Sequence, residues 1–233
     1  MITDRPDKTE APTLVSQGFL QVETGFFIEE REGEVLEKTT AYNTSLLRYG
    51  LLNNLEIRVG FNIVKLREEI FEIGETGVVS TGFEPLLLGA KIGIAEEKGV
   101  FPEMGFMGHL YLPFVAAEDL KPETTGIDFR FTFSHDFGNS DLSYNLGAKW
   151  REDSASATFI YTIAYGFDIT ENLGAFAELY GDLPENSGAE HHWDAGITYN
   201  IRNNIQLDAF VGTGINGDQK INYGAGLSFR FPY

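Results

Sequence analysis

Apolar and polar residues alternate with a period of two along almost the whole chain, from about residue 18 to the last residue. Successive side chains of a strand point to opposite faces, so this pattern sorts the chain into two unlike faces of an extended sheet. The final segment is the clearest. Tyr223, Ala225, Leu227, Phe229, Phe231 and Tyr233 fall on one face, and Asn222, Gly224, Gly226, Ser228 and Arg230 on the other. Ile205, Leu207, Ala209 and Val211 stand against Gln206, Asp208, Phe210 and Gly212. Trp193, Ala195, Ile197, Tyr199 and Ile201 stand against Asp194, Gly196, Thr198 and Asn200. Residues 159–167, 142–151 and 127–134 repeat the pattern, and similar segments lie near 18–30, 37–49, 54–66, 83–95, 102–114 and 172–181. The spacing predicts about twelve antiparallel strands, each long enough for a tilted membrane crossing of about 9–11 residues. An even count places both termini at one end of a closed barrel.

The connections alternate in kind. "GLLNN", "EEKGV", "DFGNS", "ITEN" and "RNN" read as short turns. Between them fall the more polar "REGEVLE", "REEIFEIGETGVVSTG", "AAEDLKPETT", "EDSAS", "DLPENSGAE" and "NGDQK". Short turns at one end and longer loops at the other is the outer-membrane pattern, with the turns expected in the periplasm.

Composition supports this reading and removes others. The longest apolar stretches, such as "PLLLGAKIGIA", are broken by Gly and Lys, whereas a membrane helix needs about 18 or more apolar residues. The net charge of −18 argues against a nucleic-acid partner, which requires clustered Lys and Arg. With no Cys there is neither a disulfide nor a thiolate metal site, and no cofactor is called for. "MITDRPDKTEAP" has neither the basic nor the apolar region of a signal peptide, so the chain reads as a mature, exported form.

A soluble sandwich or lipocalin-like barrel also alternates, but turns its apolar face inward. Here the non-apolar face is rich in Gly, small polar residues and charges of both signs, as suits a wet lumen. The apolar face carries aromatics near strand ends (Tyr49, Trp150, Phe167, Trp193, Tyr199, Phe231 and Tyr233), as a girdle at the membrane interface does. The domain reading is a polar N-terminal segment, residues 1–16, followed by an all-β transmembrane up-and-down barrel, residues 17–233.

Two resemblances add to this. The closing "LSFRFPY" ends an alternating strand on an aromatic and resembles the signal that outer-membrane proteins present to the barrel-assembly machinery. "ITDRPDKTEAP", "LLRYGLLNNLEIRVG", "PLLLGAKIGIAEEKG", "TGIDFRFTFSH" and "GAFAELYGDLPE" resemble a bacterial family. It is known as outer-membrane transporters, or as proteins of the MetA pathway of phenol degradation. The resemblance implies passage of aromatic or other small organic compounds across the outer membrane of a Gram-negative bacterium. Its motifs specify the barrel rather than the cargo.

The register turns thirteen charged residues inward: Arg48, Arg58, Lys91, Arg130, Lys149 and Arg230, opposed by Glu23, Glu56, Glu103, Asp128, Glu178, Asp194 and Asp208. Both signs together in a narrow space imply cross-strand pairing, which packs the lumen, sets its selectivity, or does both. Twelve strands fall between filled eight-stranded barrels and open porins, so the pore is at most narrow. Residues 3–12 are too polar for a membrane strand, and contain Pro. Their Asp4, Arg5, Asp7, Lys8 and Glu10 are placed to pair with lumen charges as a plug, the alternative being a loose periplasmic tail.

Other chemistry finds less support. A lipid hydrolase needs Ser and His within reach, but Ser134 and His135 are adjacent on a strand and face opposite ways. His109 turns to the lumen without an evident Ser, and His191 and His192 lie beside a Trp at the interface or in a metal site. Glu118, Asp119, Glu123, Asp182 and Glu185 read as solvated loop charge, or as bridges to lipopolysaccharide through divalent cations. The function that follows is a channel for small solutes in outer-membrane lipid. A closed structural or surface-interaction barrel is the alternative.

Overall fold

The computed structural model describes residues 1–33, 35–70 and 77–232. Thirteen strand segments carry the chain: β1 (Leu20–Glu32), β2 (Val35–Leu52), β3 (Leu55–Ile70), β4 (Val79–Phe83), β5 (Leu86–Ala95), β6 (Glu103–Leu112) and β7 (Gly126–Asp136). They continue with β8 (Ser140–Trp150), β9 (Thr158–Asp168), β10 (Leu173–Pro184), β11 (Glu190–Arg202), β12 (Ile205–Gly214) and β13 (Gln219–Phe231). Neighbours pair antiparallel around a single sheet, and β1 pairs with β13 to close it. β4 and β5 share one position, because both pair with β3: Val79–Phe83 runs beside residues 63–67, and residues 87–92 beside 55–60. Pro85 lies in the gap between β4 and β5, where a residue without an N–H cannot continue the ladder. The thirteen segments therefore build a closed barrel of twelve strands.

Adjacent residues show which way the wall faces. Asn145 is 0% exposed while Leu146 beside it is 55% exposed. Leu88, Ile127, Phe159, Leu179, Ile197 and Val211 likewise point out, and the girdle aromatics from Tyr49 to Phe231 are exposed on the same face. Tyr233 lies outside the described residues. The inner face buries Gln21, Glu23, Thr132, Asn145, Thr162, Asn222 and Ser228. A soluble barrel would bury the apolar set, so the outward apolar face settles the architecture as a membrane barrel.

The loops are shorter than the sequence suggests. β1 and β2 reach to Glu32 and from Val35, which turns the expected loop "REGEVLE" into a tight connection whose Glu34 lies outside the described residues. Much of "REEIFEIGETGVVSTG" is strand as well, with 71–76 outside the described residues. Charged residues pair across these strand ends, as Lys38 does with Glu30 at 2.6 Å. Long connections remain at 113–125 and 151–157.

Candidate functional site: the lumen and the segment within it

The wall creates an electrostatic problem that the N-terminal segment solves. Arg48 on β2 is directly opposite Arg58 on β3, and Glu56 is opposite Lys91 on β5. Like charges in directly opposed positions destabilise a sheet. Glu56 is shared between the arginines, at 2.8 Å from Arg48 and 3.0 Å from Arg58, and Glu23 lies 2.9 Å from Arg48. Three buried cations thus meet two wall carboxylates. Asp4 enters among them, 3.2 Å from Arg48, 3.0 Å from Lys91 and hydrogen-bonded by Arg58. Glu10 adds a second contact to Arg58, at 3.1 Å, and lies 3.5 Å from Lys91. Charges taken from water stay charged only when paired in this way.

The segment's course follows from its partners. The Val15 N–H donates to Glu56 at 2.8 Å, and the Thr13 hydroxyl donates to Glu103 at 3.1 Å, near the short-turn end. Further in, Glu10 and Asn145 exchange hydrogen bonds, and Thr9 donates its hydroxyl to Glu178 and reaches Thr162 at 2.7 Å. The Lys8 N–H also donates to Glu178, at 2.8 Å, and Arg130 donates to the Lys8 carbonyl at 2.9 Å. The chain then turns back. Arg5 pairs with Asp208 at 3.1 Å, Gln206 donates to Thr3 at 2.7 Å, and Gln21 donates to the Ile2 carbonyl at 2.8 Å. Residues 1–16 therefore run through the short-turn half of the lumen, up to about mid-height, and leave cavities of about 210, 270 and 570 Å³ beside them.

Space remains above this segment. A cavity of about 560 Å³ is lined by the apolar Leu46, Pro85, Leu87 and Leu120 together with the polar His109, Asp128 and Arg130. A second of about 290 Å³ lies by Lys149, Tyr180, Asp182 and His192. The residues singled out in the sequence are distributed as follows. Glu23, Arg48, Glu56, Arg58, Lys91, Asp128, Glu178, Asp194 and Asp208 are buried on the inner face, and Glu103, Arg130, Lys149 and Arg230 are half-buried there. Asp4 and Arg5 join ion pairs in the hub and beside Asp208, Glu10 joins the hub, and Asp7 lies half-buried on the side of Glu178 and Asp194. Asp182 is not loop charge, because Lys149 holds it at 2.8 Å and Arg151 at 3.4 Å inside the mouth. His192 is buried in the lumen against Tyr180, ring centroids 5.0 Å apart, rather than at the interface. Thr9, Asn145, Gln206 and Gln21 were not singled out; inward parity was the signal that could have found Asn145, Gln206 and Gln21, while Thr9 lies outside any strand and carries none.

The fold is shared with proteins of known structure. An outer membrane channel from Pseudomonas putida F1 is 12% identical, with 97% of this chain and 99% of that one covered and a TM-score of 0.71. The CymD monoaromatic hydrocarbon channel is 10% identical over 94% and 90% of the two chains, with a TM-score of 0.53. The translocator domain of the autotransporter NalP from Neisseria meningitidis is 8% identical over 94% and 90%, with a TM-score of 0.59. No curated protein sequence matches. The alternating strands, the closed barrel and the lumen-filling N-terminus all lie within residues 3–231, which match a single family model; the chain belongs to the family described as putative MetA-pathway of phenol degradation.

Proposed function

We propose that the chain is an outer-membrane channel for small organic solutes, with residues 1–16 as a plug in its lumen. One observation carries the reading. The plug stops near mid-lumen, beneath an amphipathic cavity of about 560 Å³, a size suited to a small organic molecule. The fold shared with two proteins described as channels, one of them for monoaromatic hydrocarbons, supports the same reading. A solute reaches the cavity from the long-loop end and passes on when the plug yields. Arg48, Arg58, Lys91 and Lys149 with their carboxylate partners rigidify the wall, and Arg130, half-buried between both cavities, is the cation placed to select.

Single-channel recording in a planar bilayer, paired with solute uptake by proteoliposomes, tests this. The intact chain is expected to show small steps, and a chain lacking residues 1–12 larger ones. Neutralising Arg130 is expected to shift ion selectivity. Unchanged conductance after the deletion would remove the plug. The density of buried ion pairs around Asp4 favours a second reading, a closed structural barrel, which predicts a folded, heat-modifiable protein that is silent and admits nothing. No hydrolase is read here: His109 bonds Asp128, and Ser134 receives a hydrogen bond from Ser143. Labelling of a serine by a covalent hydrolase inhibitor would overturn that.

A further inference from the structure

We propose that His109 is the polar anchor of the upper cavity and takes the hydroxyl group of a neutral amphipathic solute, an inference that rests on the channel reading. His109 on β6 stands between Gly89 on β5 and Asp128 on β7 in one cross-strand row. A Cβ at Gly89 would collide with His109 Cδ2, so the glycine is what lets the ring lean across β5. On the other side Nδ1 is 2.8 Å from Asp128 Oδ1. A carboxylate only accepts, so Nδ1 carries the hydrogen and the tautomer is fixed. Cδ2 and Nδ1 are directed to the two neighbouring strands, which leaves Cε1–Nε2 as the edge turned to neither, and His109 is among the residues that line the cavity.

Nε2 has no hydrogen-bond partner, although His109 is only 4% exposed. Arg130, whose guanidinium lies 3.9 Å from the other oxygen of Asp128, also buries an Nε–H with no partner. Buried polar groups left unpaired are costly and rare, and these two lie at either side of one carboxylate on a cavity wall. In the neutral tautomer that donates Nδ1–H to Asp128, Nε2 presents a lone pair. A hydroxyl suits such a wall, because it can donate to the Nε2 lone pair and can also accept from an N–H.

The rest of the lining sets the remainder of the molecule. Leu46, Leu87, Pro85 and Leu120 face an apolar body. A neutral solute is favoured over an anion, because Glu84 and Glu152 also line the cavity and two of its three arginines, Arg5 and Arg58, are already held by Asp208 and by Asp4 with Glu10.

The test uses the full chain, ¹⁵N-labelled at histidine, in lipid nanodiscs, with cyclohexylmethanol and its methyl ether as probes. The alcohol is expected to move the His109 Nε2 resonance upfield, and the ether, which lacks the O–H, to leave it in place. H109Q assigns the signal. D128N is expected to raise the half-saturating alcohol concentration about tenfold, the scale of one neutral hydrogen bond. Gly89→Ala, checked for folding by heat-modifiability, is expected to abolish the response. An equal response to the ether, no response to either, or a protonated Nε2 in the free protein would overturn the proposal. Proteoliposome uptake separates the two readings: flux with a silent His109 removes this site alone. A responding His109 without flux upholds the site and removes the channel.

Discussion

Glu10 and Asn145 exchange a reciprocal pair of hydrogen bonds: the Glu10 N–H donates to Asn145 Oδ1 and Asn145 Nδ2 donates to the Glu10 carbonyl, both at 2.8 Å. The amide side chain thus pairs with the plug as one strand pairs with another, at the height where the plug turns back. Asn145→Ala removes both bonds without touching a charge. At about 1 kcal/mol each, the displaced plug becomes roughly thirtyfold more populated. Single-channel recording should show more frequent openings with no change in ion selectivity; an unaltered open probability would mean that this contact does not hold the plug.

Asp4→Asn tests the charged hub. It leaves Arg48, Arg58 and Lys91 facing Glu23 and Glu56, with Glu10 the one plug carboxylate still paired with these cations. Breaking a buried pair from one side costs about 3–5 kcal/mol. The expected result is a folded barrel whose N-terminal residues become accessible, read as rapid labelling of a cysteine placed at Ile2. Slow labelling, equal to that of the parent carrying the same cysteine, would show that Glu10 suffices.

Arg5 depends on two glycines. Gly25 on β1 is directly opposite Gly226 on β13, and a Cβ on either would collide with the Arg5 guanidinium. Gly226→Ala therefore evicts Arg5 from Asp208, with a cost of about 1–3 kcal/mol for overpacking. Arg5→Ala in the same chain removes the clash, so the two changes should be non-additive in thermal unfolding. Strict additivity would place Arg5 elsewhere.

The long-loop end carries a pH-sensitive clasp. Asp153 accepts the N–H groups of Glu123 at 3.0 Å and of Thr124 at 2.8 Å, and the Thr124 hydroxyl at 2.9 Å. The Glu123 N–H, and after it the Thr124 hydroxyl, hold its carboxyl below the ordinary 3.8. A depressed carboxyl contributes fully above its unfolded value and loses the contribution as pH falls through the lower, folded one. The amide shifts of Glu123 and Thr124 should therefore titrate with a midpoint below 3.8 and stay flat in Asp153→Asn. A midpoint at or above that value would contradict the geometry.

Much of this molecule is written in parity. Lipid outside and water inside impose opposite demands on successive residues, so Leu146 and Asn145 reveal their sides without any knowledge of the neighbouring strands. Parity says nothing about registers between strands. The opposition of Arg48 to Arg58, or of His109 to Asp128, depends on how far each strand slides along the next, which the turns fix only in three dimensions. Nor does it reach the plug. Residues 1–16 have no period, and Asp4 finds its three cations on β2, β3 and β5 through tertiary fit alone. The split of one strand into β4 and β5 was marked only by Pro85, and the extended hairpin of β1 and β2 was hidden because charged strands above the membrane resemble loops.

The seam between β1 and β13 has a consequence for assembly. Leu20 pairs with Phe231, so the wall cannot close until the final strand has arrived. The plug precedes β1 and is bonded to Glu23 on β1, Glu56 on β3, Asn145 on β8 and Glu178 on β10. Residues 1–16 therefore lie within a ring that is complete only once β1 has met β13, and their contacts reach strands from both halves of the chain.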